Sequence, residues 1–392
     1  MDQTGPKTVD VSVRGESMVE HRMVSVGDLR LHIAEEGDGP LVLLLHGFPE
    51  CWYTWRHQFT PLARAGYHVV APDQRGYARS DRPADAGDYT IMHLAGDVIG
   101  LIRALGERQA VLIGHDWGCQ VAWSTALMRP DVVRGVVGLS VPPQPRGPVP
   151  PLQAMRELYD GQFYWNYFQT PGVADAELAK DPRTTFRRLL YAGSGDNPAN
   201  NPPAPALIPP GQGFLDTMPD PGELPGWLTQ YDIETLAAEF AGAGFTGPLN
   251  WYRNLDRNWE LTAAWDGAQY QMPGRYITGD RDMVRAFPGM DQLVPALPHL
   301  YPAVGEAVIL PGCGHWAGEE RPAQVNAALV DFLTGLQKLP TGGSDAPVPR
   351  RKSRATRPHF QTRSCMMNES PRSDKAPGME LVLLGTAAGR SR

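Results

Sequence analysis

Cysteine is scarce in this chain and scattered. The four among 392 residues, Cys51, Cys119, Cys313 and Cys365, form no C-x-x-C pair, which excludes both a disulfide framework and a zinc-finger spacing. Long apolar runs are missing as well. No stretch approaches the ~18 apolar residues of a membrane-spanning helix, and residues 1–22 are polar, without the apolar centre of a secretory leader. A surplus of positive charge is also absent. Lys and Arg number 36 against 43 Asp and Glu, a net charge of −7, whereas nucleic-acid binders concentrate positive charge on one face. No G-x-G-x-x-G turn follows a strand-like run, and the histidines are not spaced as metal ligands, so neither a nucleotide cofactor nor a metal is expected. What is present suffices for a sizeable core: 42% of residues are apolar and 20% charged. One domain per ~150 residues suggests two or three units. A soluble, cytoplasmic globular protein is expected, without membrane insertion.

The charge is unevenly placed. Residues 338–392 hold 11 Lys/Arg against 4 Asp/Glu, a net +7 that leaves residues 1–337 at −14. That tail has one aromatic, many Ser, Pro and Arg, and no sustained period. It reads as disordered, with a basic interaction arm as the alternative.

Residues 24–142 alternate strand-like and helix-like patterns. LVLLL at 41–45 is a continuous apolar run ended by His46-Gly47, the mark of a strand buried on both faces. HVVA at 68–71, AVLI at 110–113 and VVRGVVGLSV at 132–141 repeat it. Between them Ile91, Leu94, Val98, Ile102 and Leu105 form a helical stripe, and residues 120–128 predict a second helix. Such alternation implies an α/β fold, a parallel sheet with helices on both faces. The pattern breaks at the proline-rich residues 142–151 and the Gly/Pro/Asn-rich stretch 193–226, a long loop of the kind that is functional or mobile. Around that stretch lie helical signals: a capping box at Thr229-x-x-Asp232, and Pro248 as the first residue of a helix carrying residues 250–259. Strand signals return at 274–278 and 307–310, and a last helix is predicted over 322–336. The expected organisation is an N-terminal extension (1–23), a core (24–142 and 263–337), a helical insertion (143–262) and the tail (338–392).

The sharpest chemical signal is Gly114-His115-Asp116-Trp117-Gly118, set between a strand and a helix. A tight strand-to-helix turn with small residues at both ends exposes its central side chain as a nucleophile. Taken alone, a glycine-rich turn with Asp as a helix N-cap gives the same pattern. The carboxylate is informative. A serine attacking saturated carbon would leave an ether that water does not cleave. A carboxylate, with a reference pKa of ~3.9, is already ionised and leaves a hydrolysable alkyl ester. The second signal is His46-Gly47-Phe48-Pro49-Glu50 after LVLLL, a loop placed to offer an oxyanion-hole N–H from Phe48, with the other from Trp117. Later come Gly279-Asp280-Arg281-Asp282 and Gly312-Cys313-Gly314-His315-Trp316. His315 is the candidate base, oriented by a carboxylate on its other ring nitrogen. Asp282 is the choice for that carboxylate, with Asp280 as the alternative.

Over residues 24–337 the chain resembles the epoxide hydrolase branch of the α/β-hydrolase superfamily. The resemblance is carried by HGFPE, DQRGYARSD (73–81), GHDWG, GDRDMV and GCGHW, and by FYWNYFQ (163–169), followed by Pro171-Gly172, and GPLNWYRN (247–254). It implies an α/β-hydrolase fold with an inserted helical cap at 143–262. It also implies an epoxide substrate and water, no cofactor, an ester intermediate on Asp116 hydrolysed through His315, and epoxide-oxygen donors at Tyr164 and Tyr252. Phenols of pKa ~10 can donate to a developing alkoxide while neutral. Tyr167 reads as packing, and Asp73-Gln74-Arg75-Gly76 as a structural loop. A homodimer is the oligomer expected. The alternative is a haloalkane dehalogenase, which shares the Asp elbow and for which Trp117 could bind halide. That branch has no need of paired cap tyrosines, and Phe48 stands where many dehalogenases carry Asn or Glu. A non-catalytic receptor or binding module on the same fold is the reading from another class, and would be expected to have lost part of the set.

Overall fold

The computed structural model describes residues 19–338; the expectations for residues 1–18 and for the tail after 338 lie outside the described residues. Eight strands are formed: β1 (Glu20–Val26), β2 (Leu29–Glu36), β3 (Leu41–Leu45), β4 (His68–Pro72), β5 (Ala110–His115), β6 (Val133–Leu139), β7 (Gly274–Gly279) and β8 (Val308–Leu310). They make one sheet in the order β1-β2-β4-β3-β5-β6-β7-β8. β2 pairs antiparallel with β1 and β4, and every other pairing is parallel. Every residue of β3 and β5 is buried, as continuous apolar runs in central parallel strands require. β1 starts inside the stretch read as an extension. Only its Val24 and Val26 are buried, so hydropathy conceals it, and its register with β2 from Glu20↔Glu35 to Val26↔Leu29 defines it instead.

The helix Ile91–Ala104 buries Ile91, Leu94, Val98 and Ile102 of the expected stripe, and Leu105 caps its C-terminus. Between β6 and β7 the chain leaves the sheet and forms seven α-helices: Pro151–Tyr159, Tyr164–Tyr167, Val173–Lys180, Pro182–Gly193, Gln230–Ala241, Thr246–Arg253 and Leu255–Leu261. The Thr229 capping box forms: the Asp232 N–H donates to Thr229 Oγ1 at 3.2 Å and the Thr229 N–H to Asp232 Oδ2 at 2.8 Å. Pro248 is not a first residue. Its helix begins at Thr246, and the proline sits in the first turn, where a missing N–H is tolerated. That helix ends at Arg253, with Asn254 as its cap, and the chain resumes as the helix Leu255–Leu261. The long stretch 193–226 is packed: Ile208 and Phe214 are buried in it, and Glu177 accepts the Leu215 N–H at 2.8 Å and the Phe214 N–H at 3.2 Å. Among the described residues no helix is long and apolar enough to cross a membrane.

This topology places the loops that carry the candidate residues. β3, β5, β6, β7 and β8 are parallel neighbours, so the loops carrying Phe48, Asp116, Ser140, Asp282 and His315 all leave the same edge of the sheet. Open α/β sheets bind ligands at that carboxyl edge.

Candidate active site

β5 ends at His115 and the helix Trp117–Met128 begins at the second residue after it, so Asp116 alone makes the turn. Its φ of 50° and ψ of −118° are sparsely populated by side-chain-bearing residues, at a strain of about 1–3 kcal/mol. The sharpness of the turn explains the flanking glycines. A Cβ at Gly114 would stand 2.3 Å from the Gly118 carbonyl oxygen, and one at Gly118 only 1.8 Å from the Leu45 carbonyl oxygen. A Cβ at Gly47 would come within 2.4 Å of Asp116 Cβ. The Asp116 side chain makes no capping hydrogen bond. Its Oδ1 instead accepts the Phe48 N–H at 2.8 Å, and the Trp117 amide also donates to the carboxylate. Burial pushes this carboxyl above the usual range, and the opposing pull of His315, His115 and the two amides does not bring it back.

His315 Nε2 lies 3.7 Å from Asp116 Oδ2, beyond hydrogen-bond range. Its other ring nitrogen, Nδ1, is 3.0 Å from Asp282 Oδ1 and 2.9 Å from Ser140 Oγ. Asp282 is completely buried, whereas Asp280 is exposed. The Asp282 carboxylate also accepts Thr278 Oγ1–H at 3.1 Å and the Val284 N–H at 3.0 Å. Burial alone would raise it, but His315, the Val284 N–H and Ser140 hold it below the ordinary carboxylate range. The reverse balance acts on His315. Burial lowers its pKa, and Asp282, with help from Asp116, more than restores it, to a value above the ordinary one.

Tyr252, on the helix Thr246–Arg253, stands edge-on to both Trp117 (centroids 5.1 Å apart) and Phe48 (5.2 Å), the two residues whose amides hold Asp116. Tyr164 faces it with ring centroids 6.0 Å apart. Burial raises both phenols, and the nearby Asp116 charge adds to the effect, so both are neutral at pH 7. Side chains cross-link the two tyrosine-bearing segments: Gln169 Nε2 donates to the carbonyls of Trp165 (2.8 Å) and Tyr252 (3.1 Å), and Arg253 reaches the Phe168 carbonyl and Asp175. DQRG forms the floor beneath them. Trp251 Nε1 donates to the Arg75 carbonyl at 3.1 Å, and a Cβ on Gly247 would lie 2.3 Å from the Gly76 carbonyl oxygen. Tyr167 lies to one side, its hydroxyl donating to Glu177 at 2.7 Å.

Two residues inside the quoted motifs have a place that spacing did not disclose. His115 Nδ1 pairs with Glu50 at 2.8 Å, and its Nε2 donates to the His315 carbonyl at 2.8 Å. Burial opposes the charge on His115, but Glu50 raises its pKa to about 10, so the ring is a buried cation tying the elbow to both neighbouring loops. His46 has the opposite state. Its Nε2 accepts the Gln74 N–H at 3.0 Å, which requires a neutral ring. Ser140 carried no sequence signal at all. Among the described residues no group of three or more His, Cys, Asp or Glu is placed to hold a metal ion.

The same overall fold is found in known proteins. Residues 40–191 match the family model described as the alpha/beta hydrolase fold. Epoxide hydrolase A of Mycobacterium tuberculosis is 45% identical over 320 residues, which cover 81% of this chain and 98% of that protein. Epoxide hydrolase 3 of Siraitia grosvenorii is 41% identical over 319 residues, 80% of this chain and 98% of that protein. Among solved structures, Epoxide Hydrolase A from Mycobacterium thermoresistibile superposes with a TM-score of 0.76 at 45% identity, covering 81% of this chain and 99% of that one. An epoxide hydrolase from Vigna radiata gives 0.77 at 40% identity, covering 82% and 100%. The chain therefore belongs to the epoxide hydrolase branch of the α/β-hydrolase-fold enzymes.

Proposed function

We propose that the protein opens epoxides to vicinal diols in two covalent steps, with residues 143–262 acting as the cap that supplies the oxygen-binding tyrosines. The observation that carries this reading is the carboxylate at the elbow: Asp116 Oδ1 is held by an amide while Oδ2 is turned toward His315 without bonding to it. Oδ2 is thus free to attack. It displaces the ring oxygen from one epoxide carbon. The C–O electron pair passes to that oxygen, which Tyr164 and Tyr252 bind and one of them protonates. A β-hydroxyalkyl ester remains on Asp116. In the second step His315 Nε2 takes a proton from water, and the oxygen adds to Asp116 Cγ. The resulting oxyanion on Oδ1 meets the Phe48 and Trp117 amides. Collapse expels the diol oxygen, which takes the proton from His315, and the Asp116 carboxylic acid then ionises, restoring the phenol. Asp282 keeps the His315 tautomer that leaves Nε2 free to accept. A halide-binding alternative would leave the paired tyrosines without a role.

The covalent route is tested by a single turnover in ¹⁸O-labelled water with enzyme in excess. Label should appear in the Asp116 carboxylate and be absent from the diol. Label entering the diol directly would mean that water attacks the epoxide itself.

The tyrosines are separable from packing by kinetics. Removing one donor to a developing oxyanion costs about 10²–10³ in rate where the donor acts alone. Two donors on one oxygen partly replace each other, so either Tyr→Phe change should cost less than this, and the double change should reach it. The loss is expected in ester formation, followed by stopped-flow quenching of Trp117 fluorescence, because the later oxyanion is bound by amides. A double variant that alkylates at the wild-type rate would reduce both tyrosines to packing.

A further inference from the structure

Glu320 is buried, 6% exposed, and takes no part in the chemistry above. Its Oε2 accepts the Gly314 N–H at 2.9 Å and the Gly195 N–H at 2.9 Å, and its Oε1 accepts the Trp316 N–H at 3.2 Å. Two of these amides flank His315, and the third lies just beyond the helix Pro182–Gly193, on the inserted segment. The same segment holds the histidine itself: the His315 N–H donates to the Gly193 carbonyl at 2.8 Å. Arg281, beside Asp282, donates to the Gly195 carbonyl at 2.8 Å, and Trp316 Nε1 to the Leu190 carbonyl at 2.7 Å. The two segments touch closely enough to require glycine, since a Cβ at Gly314 would stand 2.2 Å from the Gly195 nitrogen. Burial pushes the Glu320 carboxyl up to about 6 against the pull of the three amides and Arg321. It is therefore an anion at neutral pH, and its hydrogen bonds are charge-assisted.

We propose that Glu320 is a positioning residue for ester hydrolysis, clasping the His315 loop to residues 193–195 so that Nε2 stays directed at Asp116. Asp116 takes its own position from the β5 elbow and the Phe48 amide, neither of which touches Glu320. Loosening the clasp therefore moves the base and leaves the nucleophile in place. The effect should fall on the second step alone, a division that rests on the two-step reading above.

Glu320→Gln tests it. The amide keeps the volume but has a single acceptor oxygen, so at least one of the three N–H groups loses its partner. A misplacement of order 1 Å can cost about 10²-fold; ester hydrolysis, and with it kcat, is expected to slow by about 10- to 10²-fold. kcat/KM, which reports alkylation, should stay at the wild-type value, the alkyl-enzyme should dominate at steady state by intact mass, and amide exchange at Gly195, Gly314 and Trp316 should quicken. Arg281→Gln, which loosens Gly195 from outside and leaves the carboxylate intact, should lower kcat in the same sense and less. It decides the matter if Glu320→Gln does not fold. Hydrolysis at the wild-type rate, or kcat and kcat/KM falling together, would overturn the assignment. Label passing directly into the diol in a single turnover of the wild-type enzyme in ¹⁸O-labelled water would overturn it together with the two-step reading.

Discussion

Asp116→Ala is expected to lower turnover by on the order of 10⁴-fold or more, the scale on which nucleophile triads fail when a member is removed. Among the described residues, the neighbouring carboxylates are otherwise engaged. Glu50 is engaged by His115, Gly47 and Thr54, and Asp282 is turned away beneath His315. The same position predicts a stability effect of the opposite sign. Because Asp116 sits at φ 50°, ψ −118°, Asp116→Gly removes both the nucleophile and a backbone strain of about 1–3 kcal/mol. That variant should be inactive yet unfold at a temperature no lower than the wild type. Turnover within tenfold of wild type for the alanine variant would end the nucleophile assignment. A glycine variant that melts well below the wild type would show that the carboxylate serves the fold.

His315→Gln should leave the first step intact and stop the second. Asp116 needs no base, whereas water at a neutral ester does, and a positioned general base is worth about 10²–10⁴-fold; the loss expected here is at the upper end. Intact-mass spectra should show the enzyme plus one substrate mass, stable over many wild-type turnover times. An inactive variant that never gains that mass would place His315 in the first step. The pH dependence follows from the same assignment. The base is the neutral ring, and Asp282 and Asp116 raise the His315 pKa above its ordinary value despite burial. Hydrolysis of the ester therefore gains as pH rises through that pKa and is lost below it. Esterification removes the Asp116 charge, one of the raising influences, so the limb seen in ester hydrolysis should lie below the His315 titration of the free enzyme. Asp116, raised mainly by burial, sets a separate acid limb on alkylation, lost as the pH falls through its own pKa.

The candidate site was legible in unequal degree. Asp116 was readable because a turn tight enough to expose a side chain demands glycines at fixed offsets, and Gly114 and Gly118 supply them. His315 and Asp282 were readable through chain order and strand ends. Asp282 was already the choice over Asp280, and the structure adds the burial that spacing does not carry: Asp282 is enclosed against His315 and Asp280 faces solvent. Ser140, on Nδ1 of the same histidine, left no trace in the sequence, because a serine after a strand is indistinguishable from a turn residue. β1 was obscured for a related reason. An edge strand with two buried positions is specified by its partner's hydrogen bonds, and these are not written in its own hydropathy.

By itself the sequence determined what depends on local rules: the continuous apolar runs of the central strands, the capping box at Thr229, the glycine-framed turn, and a carboxylate where acyl chemistry would need a hydroxyl. Only the tertiary structure decided what depends on separation in space. Tyr164 and Tyr252 lie 88 positions apart and meet because Gln169 and Arg253 bind their segments together. His115 is a cation because Glu50 from another loop is buried against it. Glu320 reaches Gly195 across 125 positions. Charge state and reach are set by neighbours that the folded chain brings together, through burial and hydrogen bonds acting over a few ångströms.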